Sequence, residues 1–534
     1  MRQTLLILTL VVASAVSAAN LRITTIAPTA VDPDHPVTWS FTVQNVSGQP
    51  LPAAPLTLQF SAGLIVSTLP SELACVDLNG YSGCTLPALA PGQSLELTVA
   101  VQHPFVHGRV FSNLSVSYVP GLPESAWRST AFWRDYPVTT VADSGPGSLR
   151  QAILDINAAC PYELVKYIVP CRAAFRITDP VPATGWHTVK PLTPLPAVTA
   201  YDAAIDGSTQ METNPYGPSV ALDGSALFAG DGVTGDAITL GNRVEVSGLA
   251  ISRFPGNGVY GGNGTYLHVH DCYIGLDPTG RQATPNGSRG IAASRMIGLI
   301  ENNVIGGNVR SGVFFMGTRT TGPTIRRNRI GVAAHDDTPV GNGASGIFVG
   351  DFWGYYTYPT IEENVIANND IGIALTANAP MIILGNTIRD NAQRGIDIGL
   401  DGPTESAPGV PGVYGGILPP PVILSATYQD GVTTIRGYSL AGNRRQVLLY
   451  ANTTLEPGGY AEGEQYLGIT PLQYSEDTTF TFQYAGDLRG KYINGTSYGT
   501  TWWSFDEYSY TSSEFGRARA VQEENVGKRR RAVR

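Results

Sequence analysis

Charged side chains are scarce in this chain: Asp, Glu, Lys and Arg together make up 14% of 534 residues. Long surface helices normally carry dense charge, so their prevalence is disfavoured; 61 Gly and 38 Pro point to strands and turns instead. Lysine is the scarcest charge, with only Lys166, Lys190, Lys491 and Lys528 among 34 basic residues. The formal net charge is −9, and no basic stripe precedes the final "GKRRRAVR", so nucleic acid is not an expected partner. Nowhere does an apolar run approach the roughly 18 residues of a membrane helix, and no transmembrane segment is expected.

What is present at the start reads as an export signal. Arg2 supplies a positive charge, Leu5 to Val12 form a short apolar run, and Ala13 to Ala19 offer small residues for cleavage. Residues 1–19 are therefore expected to be a signal peptide, and the protein to be secreted, extracellular or at a bacterial cell surface. Export permits disulfides. Five cysteines sort by proximity into Cys75–Cys84, Cys160–Cys171 and a lone Cys272. Neither pair has the close spacing of a zinc site, so no metal is expected there.

The length predicts several domains. Residues 20–135 alternate polar and apolar in segments such as "VTWSFTV" and "LELTVAV", separated by turn residues, which predicts a β-sandwich. From Val138 the texture changes, and residues 138–416 form a middle domain. Ser148 and Gln151 form a capping-box pattern, and Leu149, Ala152, Ile153 and Ile156 share one helical face, predicting a helix that covers one end of this domain. Residues 417–520, with a hairpin signal at Asp430-Gly431, predict a small C-terminal β-sandwich, and residues 521–534 a disordered basic tail.

The middle domain repeats. An apolar residue stands five positions before a hydrophobic anchor in the pairs Val246/Ile251, Val269/Ile274, Ile300/Ile305, Ile325/Ile330, Ile361/Ile366 and Ile383/Ile388. Each unit then carries Gly before a β-branched residue, from Gly258-Val259 to Gly395-Ile396. The distance from anchor to that β-branched residue is 8, 17, 8, 17, 7 and 8 positions, so two units carry an insertion of about nine residues and the register then resumes. Such a pattern means a solenoid, here a right-handed parallel β-helix. Two positions before the anchors stand Leu249, Cys272, Asn303, Asn328, Asn364 and Asn386. Stacked Asn can bond turn backbone and its counterpart in the next coil, and Cys272 in that column is expected to be a buried, inert thiol.

The motifs "ADSGPGSLRQAI", "VALDGS", "VSGLAISRFPGNGV", "RIGVAAHDDTPVGNGASGI" and "NTIRDNAQRGIDIGLDG" make the chain from Val138 to about Ala520 resemble secreted bacterial β-helix proteins of the pectin-lyase-like superfold. Residues 20–135 resemble the Ig-like repeats of bacterial surface proteins. The resemblance implies architecture; the superfold hosts lyases, hydrolases, epimerases and adhesins, so it does not decide chemistry.

Strand alternation places His268 and His270 on one outer face, where they could share a metal with a carboxylate such as Asp271, or stand as a surface pair without one. The outward column beside the Asn ladder reads His270, Glu301, Arg326, Glu362, Leu384. Glu301, Arg326 and Glu362 are the catalytic candidates, weighed against a charge ladder of surface pairs. A lyase would need a calcium-binding carboxylate cluster beside a base, and a hydrolase a pair of carboxylates; Asp336-Asp337 and Asp397/Asp401 match no hydrolase motif. The segment "DFWGYYTYP" gathers Phe352, Trp353, Tyr355, Tyr356 and Tyr358, rings suited either to stacking on sugars or to packing over the helix flank.

The sequence therefore points to a monomeric surface protein that binds polysaccharide or a cell-envelope surface and needs no cofactor. A calcium-dependent polysaccharide lyase or glycoside hydrolase is the first alternative, and a structural spacer or adhesin stalk the second.

Overall fold

The computed structural model describes residues 21–523 apart from short segments, the longest being 27–36, 103–108, 161–169, 228–234, 351–357 and 403–417. The chain folds as two units. The first comprises Met1–Pro137, Leu154–Ala174 and Ala200–Ala204, and the second Val138–Ile153, Phe175–Thr199 and Ile205–Arg534.

The first unit contains two antiparallel sheets. One orders Leu21–Ile26, Val37–Asn45, Ser94–Gln102 and Ile65–Thr68; the other orders Cys75–Asp77, Tyr81–Leu86, Ala54–Phe60, Arg109–Val119 and Leu122–Ala131. Strand alternation sets the core, because it turns Phe41, Val43, Leu97 and Val99 inward, where they are buried. Cys75 and Cys84 are direct cross-strand partners and form a disulfide; Cys160–Cys171 forms the other. In the helix Leu149–Ala159 the Ser148 hydroxyl accepts the Gln151 backbone N–H at 3.2 Å, and Leu149, Ala152, Ile153 and Ile156 are buried.

The second unit is dominated by a right-handed parallel β-helix with three parallel sheets. The first sheet runs through Val244–Ser247, Tyr266–His270, Ile297–Glu301, Thr321–Arg326, Tyr358–Glu362 and Ile382–Leu384. The second runs from His187–Val189 to Thr387–Arg389, and the third from Ile238–Leu240 to Arg394–Ile398. Register is kept from coil to coil: Val246, Val269, Ile300, Ile325, Ile361 and Ile383 pair in sequence, and all are buried. Both insertions fold as small hairpins, bridged at Leu276–Ala283 and Val332–Pro339. They meet across the short coil between them, where the Ala334 N–H reaches the Gly280 carbonyl at 2.9 Å. The chain leaves for each hairpin at Gly275 and Gly331, with φ of 83° and 86°, and a Cβ at either would strike a carbonyl of the next coil.

The Asn column forms a continuous ladder. The side-chain oxygens of Asn328, Asn364 and Asn386 each accept both the backbone N–H and the side-chain amide of the Asn one coil earlier, at 2.9–3.0 Å. Cys272 enters the stack through its backbone N–H to Asn303 at 3.0 Å, and it is free and buried. Burial pushes its thiol up to about 12, as befits an unreactive sulfur. A second ladder, not read from the sequence, runs at the next corner through Asn286, Asn308, Asn342, Asn369 and Asn391.

Residues 422–523 build two further sheets, one ordering Thr479–Ala485, Val432–Tyr438, Val422–Gln429 and Gln522–Glu523, the other built on Arg444–Asn452 and Tyr492–Ser504. Ile423, Ile435, Val447, Leu449, Phe480 and Phe482 share the core between them. The Asp430-Gly431 hairpin has φ of 48° and 87°, the left-handed pair of a tight I′ turn. Replacing Asn364 by Ala would orphan a buried N–H of Asn328 and vacate several bonds. The β-helix should lose about 3 kcal/mol, read as a shift in the chemical denaturation midpoint.

Candidate functional site

The inward residues of the first sheet fix what faces out. Two outward columns flank them: Glu245, His268, Leu299, Thr324, Thr360, Ile382 on one side, and Ser247, His270, Glu301, Arg326, Glu362, Leu384 on the other. The column expected from the sequence is the second of these. The first adds Glu245, directly beside His268, which sequence reasoning missed.

These outward groups are far from free in solvent. Side-chain exposure is 1% for Glu301, 9% for His268, 15% for Glu245 and 18% for His270. The two imidazoles lie with centroids 4.3 Å apart. Glu245 sits below both, with its carboxylate oxygens 3.7 Å from His268 Nδ1 and 3.3 Å from His270 Nε2. Each imidazole offers its remaining nitrogen to a different carboxylate. His268 Nε2 meets Glu301 at 3.3 Å, and His270 Nδ1 meets Asp271 at 2.7 Å. Asp271 reaches back because it holds the left-handed bend, φ 53°, as do Asn302, Arg327 and Glu363 in the equivalent position of later coils.

Electrostatics follow from burial. For His270, burial favours the neutral ring, but bonds to Asp271 and Glu245 overcome it and hold the imidazolium up to about 10. Burial also opposes the charge on Glu301, yet His268, Arg326 and Arg327 hold its carboxyl well below the usual carboxylate range. Both guanidiniums reach it, Arg326 at 3.0 Å and Arg327 at 3.1 Å. A residue held ionised this firmly is a counter-ion and a poor proton donor. Glu362 is the opposite case, raised by burial and by its neighbour Glu363. The three catalytic candidates do share one column, with Glu301 and Arg326 in contact.

Among the described residues, the one grouping of three or more potential metal ligands is Glu245, His268 and His270, whose donor atoms lie within 4.8 Å of one another. Two imidazoles with one carboxylate suit copper or zinc and not calcium, which takes six to eight oxygens. An imidazole whose far nitrogen is held by a carboxylate is the usual outer support of a metal-ligating histidine. Of the aromatic candidates, Phe352, Trp353, Tyr355 and Tyr356 lie outside the described residues, and Tyr358 is described only as backbone at the start of a strand. Asp336 and Asp337 lie on the second hairpin, where Asp337 pairs with Arg329 and Arg389.

Glu301 contributes stability wherever it is ionised in the fold. Its folded value is lowered, so the contribution is full above its ordinary value near 4.5 and is lost as pH falls further. Glu301→Gln should therefore destabilise the protein at pH 7 by about 3–5 kcal/mol, with a smaller penalty at pH 3, as thermal unfolding at the two pH values will read.

No curated protein matches the chain. Among solved structures, tailspike protein 2 of the Escherichia coli O157:H7 bacteriophage CAB120 is 10% identical over 76% of this chain and 72% of that one, with a TM-score of 0.23. A GH20 exo-β-N-acetylglucosaminidase from Vibrio harveyi is 15% identical over 20% of this chain, with a TM-score of 0.15; this chain spans 17% of its length. A GH18 chitinase from Chromobacterium violaceum is 17% identical over 21% of this chain and 19% of that one, with a TM-score of 0.13. Likeness at these scores carries no argument. One family profile does match, over residues 236–401, a stretch that holds Glu245, both histidines and Glu301: that of the periplasmic copper-binding protein NosD.

Proposed function

We propose that this chain is an exported cell-envelope protein that holds a transition-metal ion on the outer flank of its β-helix. The observation that carries the reading is the set of Glu245, His268 and His270, with donor atoms within 4.8 Å and each imidazole braced by a further carboxylate. Similarity of residues 236–401 to a periplasmic copper-binding family favours copper and an envelope location. The signal-like segment of residues 1–19 favours export; no helix among the described residues is long and apolar enough to cross a membrane.

The chain's own part is binding and orientation. Glu245, His268 Nδ1 and His270 Nε2 would hold the ion. Asp271 and Glu301 fix which nitrogen of each ring faces it, and Arg326 and Arg327 keep Glu301 charged. A bound copper ion would supply positive charge between three donors that otherwise share protons. Copper(II) titrated into metal-free protein should give one nitrogen-coupled site by electron paramagnetic resonance. The coupling should fall to that of a single nitrogen in His268→Ala or His270→Ala and vanish when both are replaced, and affinity should fall about 10–100-fold in Asp271→Asn. Spectra indifferent to all three substitutions would discard the reading.

A second reading, binding of polysaccharide or another envelope surface, is favoured by the aromatic density of Phe352 to Tyr358 in the sequence. It predicts glycan-array binding that Trp353→Ala with Tyr356→Ala abolishes; binding unchanged by the pair would remove these rings from the site. The calcium-dependent lyase loses support, since its carboxylate cluster is absent among the described residues. We also propose a monomeric state and a layout of signal peptide (1–19), Ig-like domain (20–135), β-helix (138–416) and C-terminal β-sandwich (417–520).

A further inference from the structure

The last coil of the β-helix has three open strand edges, and the C-terminal β-domain closes each with a different group. On the first sheet, the Ser512 hydroxyl accepts the Ile383 N–H at 2.9 Å, and the Ser512 N–H donates to the Met381 carbonyl at 2.8 Å. On the second, Ile388 and Gly463 exchange two backbone bonds of 2.8 Å. On the third, Glu514 accepts the Ile398 N–H at 2.6 Å. At the corner, Glu462 takes the place of the next rung in the second Asn ladder: its Oε2 accepts the Asn391 backbone N–H at 3.1 Å, as the side-chain oxygens of Asn342, Asn369 and Asn391 do for the rung before each.

We propose that Glu462, in its acid form, latches the C-terminal domain onto the last coil, so that docking is tight at acidic pH and loosens as the pH rises. The rung is occupied by an uncharged amide in the five coils before it, from Asn286 to Asn391, and only here by a group that can ionise. Glu462 is 8% exposed, and its Oε1 is buried without a hydrogen-bond partner. A carboxylate in that place would hold an unpaired charge in the seam. The neighbours give no relief. Asp390 on the last coil and Glu456 on the facing loop both repel a charge on it, and Arg394 on the coil already pairs with Glu456 at 3.4 Å. Glu514 presents a further carboxyl to the same seam, while Tyr450 and Phe515 pack against the adjoining Gly463. No Lys or Arg pairs with Glu462 among the described residues.

Burial, opposed by the bonds from Asn391, raises Glu462 to about 8 from an ordinary 4.5. With the docked value raised, the contribution is fully present below the ordinary value and is lost as pH climbs to the docked one. Amide protection at Ile383, Ile388, Asn391 and Ile398, corrected for intrinsic exchange and measured on the full chain, reads docking directly. It should fall by up to about tenfold per pH unit between pH 5 and 8. Glu462→Gln should abolish that slope and keep protection at its low-pH level. Ser512→Ala, which removes a cap that does not titrate, should lower protection at every pH and leave the slope intact. A flat profile in the native protein, or a slope that survives Glu462→Gln, overturns the latch.

Discussion

Every side chain in a parallel β-helix lies about 4.8 Å from its counterpart in the next coil, so this fold stacks like upon like, and each column must tolerate its own repetition. Apolar columns do so without cost, which is why the inward positions are Val and Ile from Val246 to Ile383. Asn also stacks on itself, because an amide is donor and acceptor at once; both ladders use that property to satisfy corner backbone that no strand can pair. Like charges cannot stack. The charged column therefore alternates, with His270, Glu301, Arg326 and Glu362 succeeding one another, and the ion cluster is what the stacking rule leaves when ionisable residues occupy an outer face.

A stack of coils also has an end, and an open end exposes a row of unpaired groups on every sheet. Here the C-terminal domain ends it by imitation. A hydroxyl, a backbone bridge and two carboxyls offer the last coil the partners that another coil would have offered. Carboxyls imitate an amide's acceptor well and its charge neutrality badly, so the proposed latch would carry a sensitivity to protonation that the Asn ladders lack.

Much of this was legible in the sequence because a repeat converts spacing into position. Counting from the anchors located the inward residues, the Asn ladder, Cys272 within it and the outward column from His270 to Leu384. Glu245 was missed because only the column following the inward residues was counted; the preceding column would have set Glu245 beside His268. The second ladder also had a signal, an Asn four residues before the repeated glycine at Asn286, Asn308, Asn342 and Asn391. Asp271 was named as a carboxylate partner of the two histidines, but its return to His270 depends on a left-handed backbone that spacing does not reveal. The pairing of Asn391 with Glu462 lies beyond any period, since no repeat joins the two.

The distribution of charge along the flank bears on what the flank is for. A face that only had to be covered could be built from Leu, Thr and Ile, and the column preceding the inward residues is so built after His268, at Leu299, Thr324, Thr360 and Ile382, while the other column keeps Arg326 and Glu362. Ionisable groups concentrate in the first coils, where Glu245, His268, His270, Asp271 and Glu301 meet. Burying charge is a net cost that apolar residues of similar size would avoid, so a cluster of this kind is weak support for stability. Its geometry instead turns three donors toward one point and fastens each ring from behind, an arrangement with more bracing than mutual neutralisation requires. Within the same column Glu301 is fixed in its ionised form by two guanidiniums and an imidazole, whereas Glu362 is raised by burial. The flank around Glu245, His268 and His270 holds charge in place, which is what the proposed metal site would require.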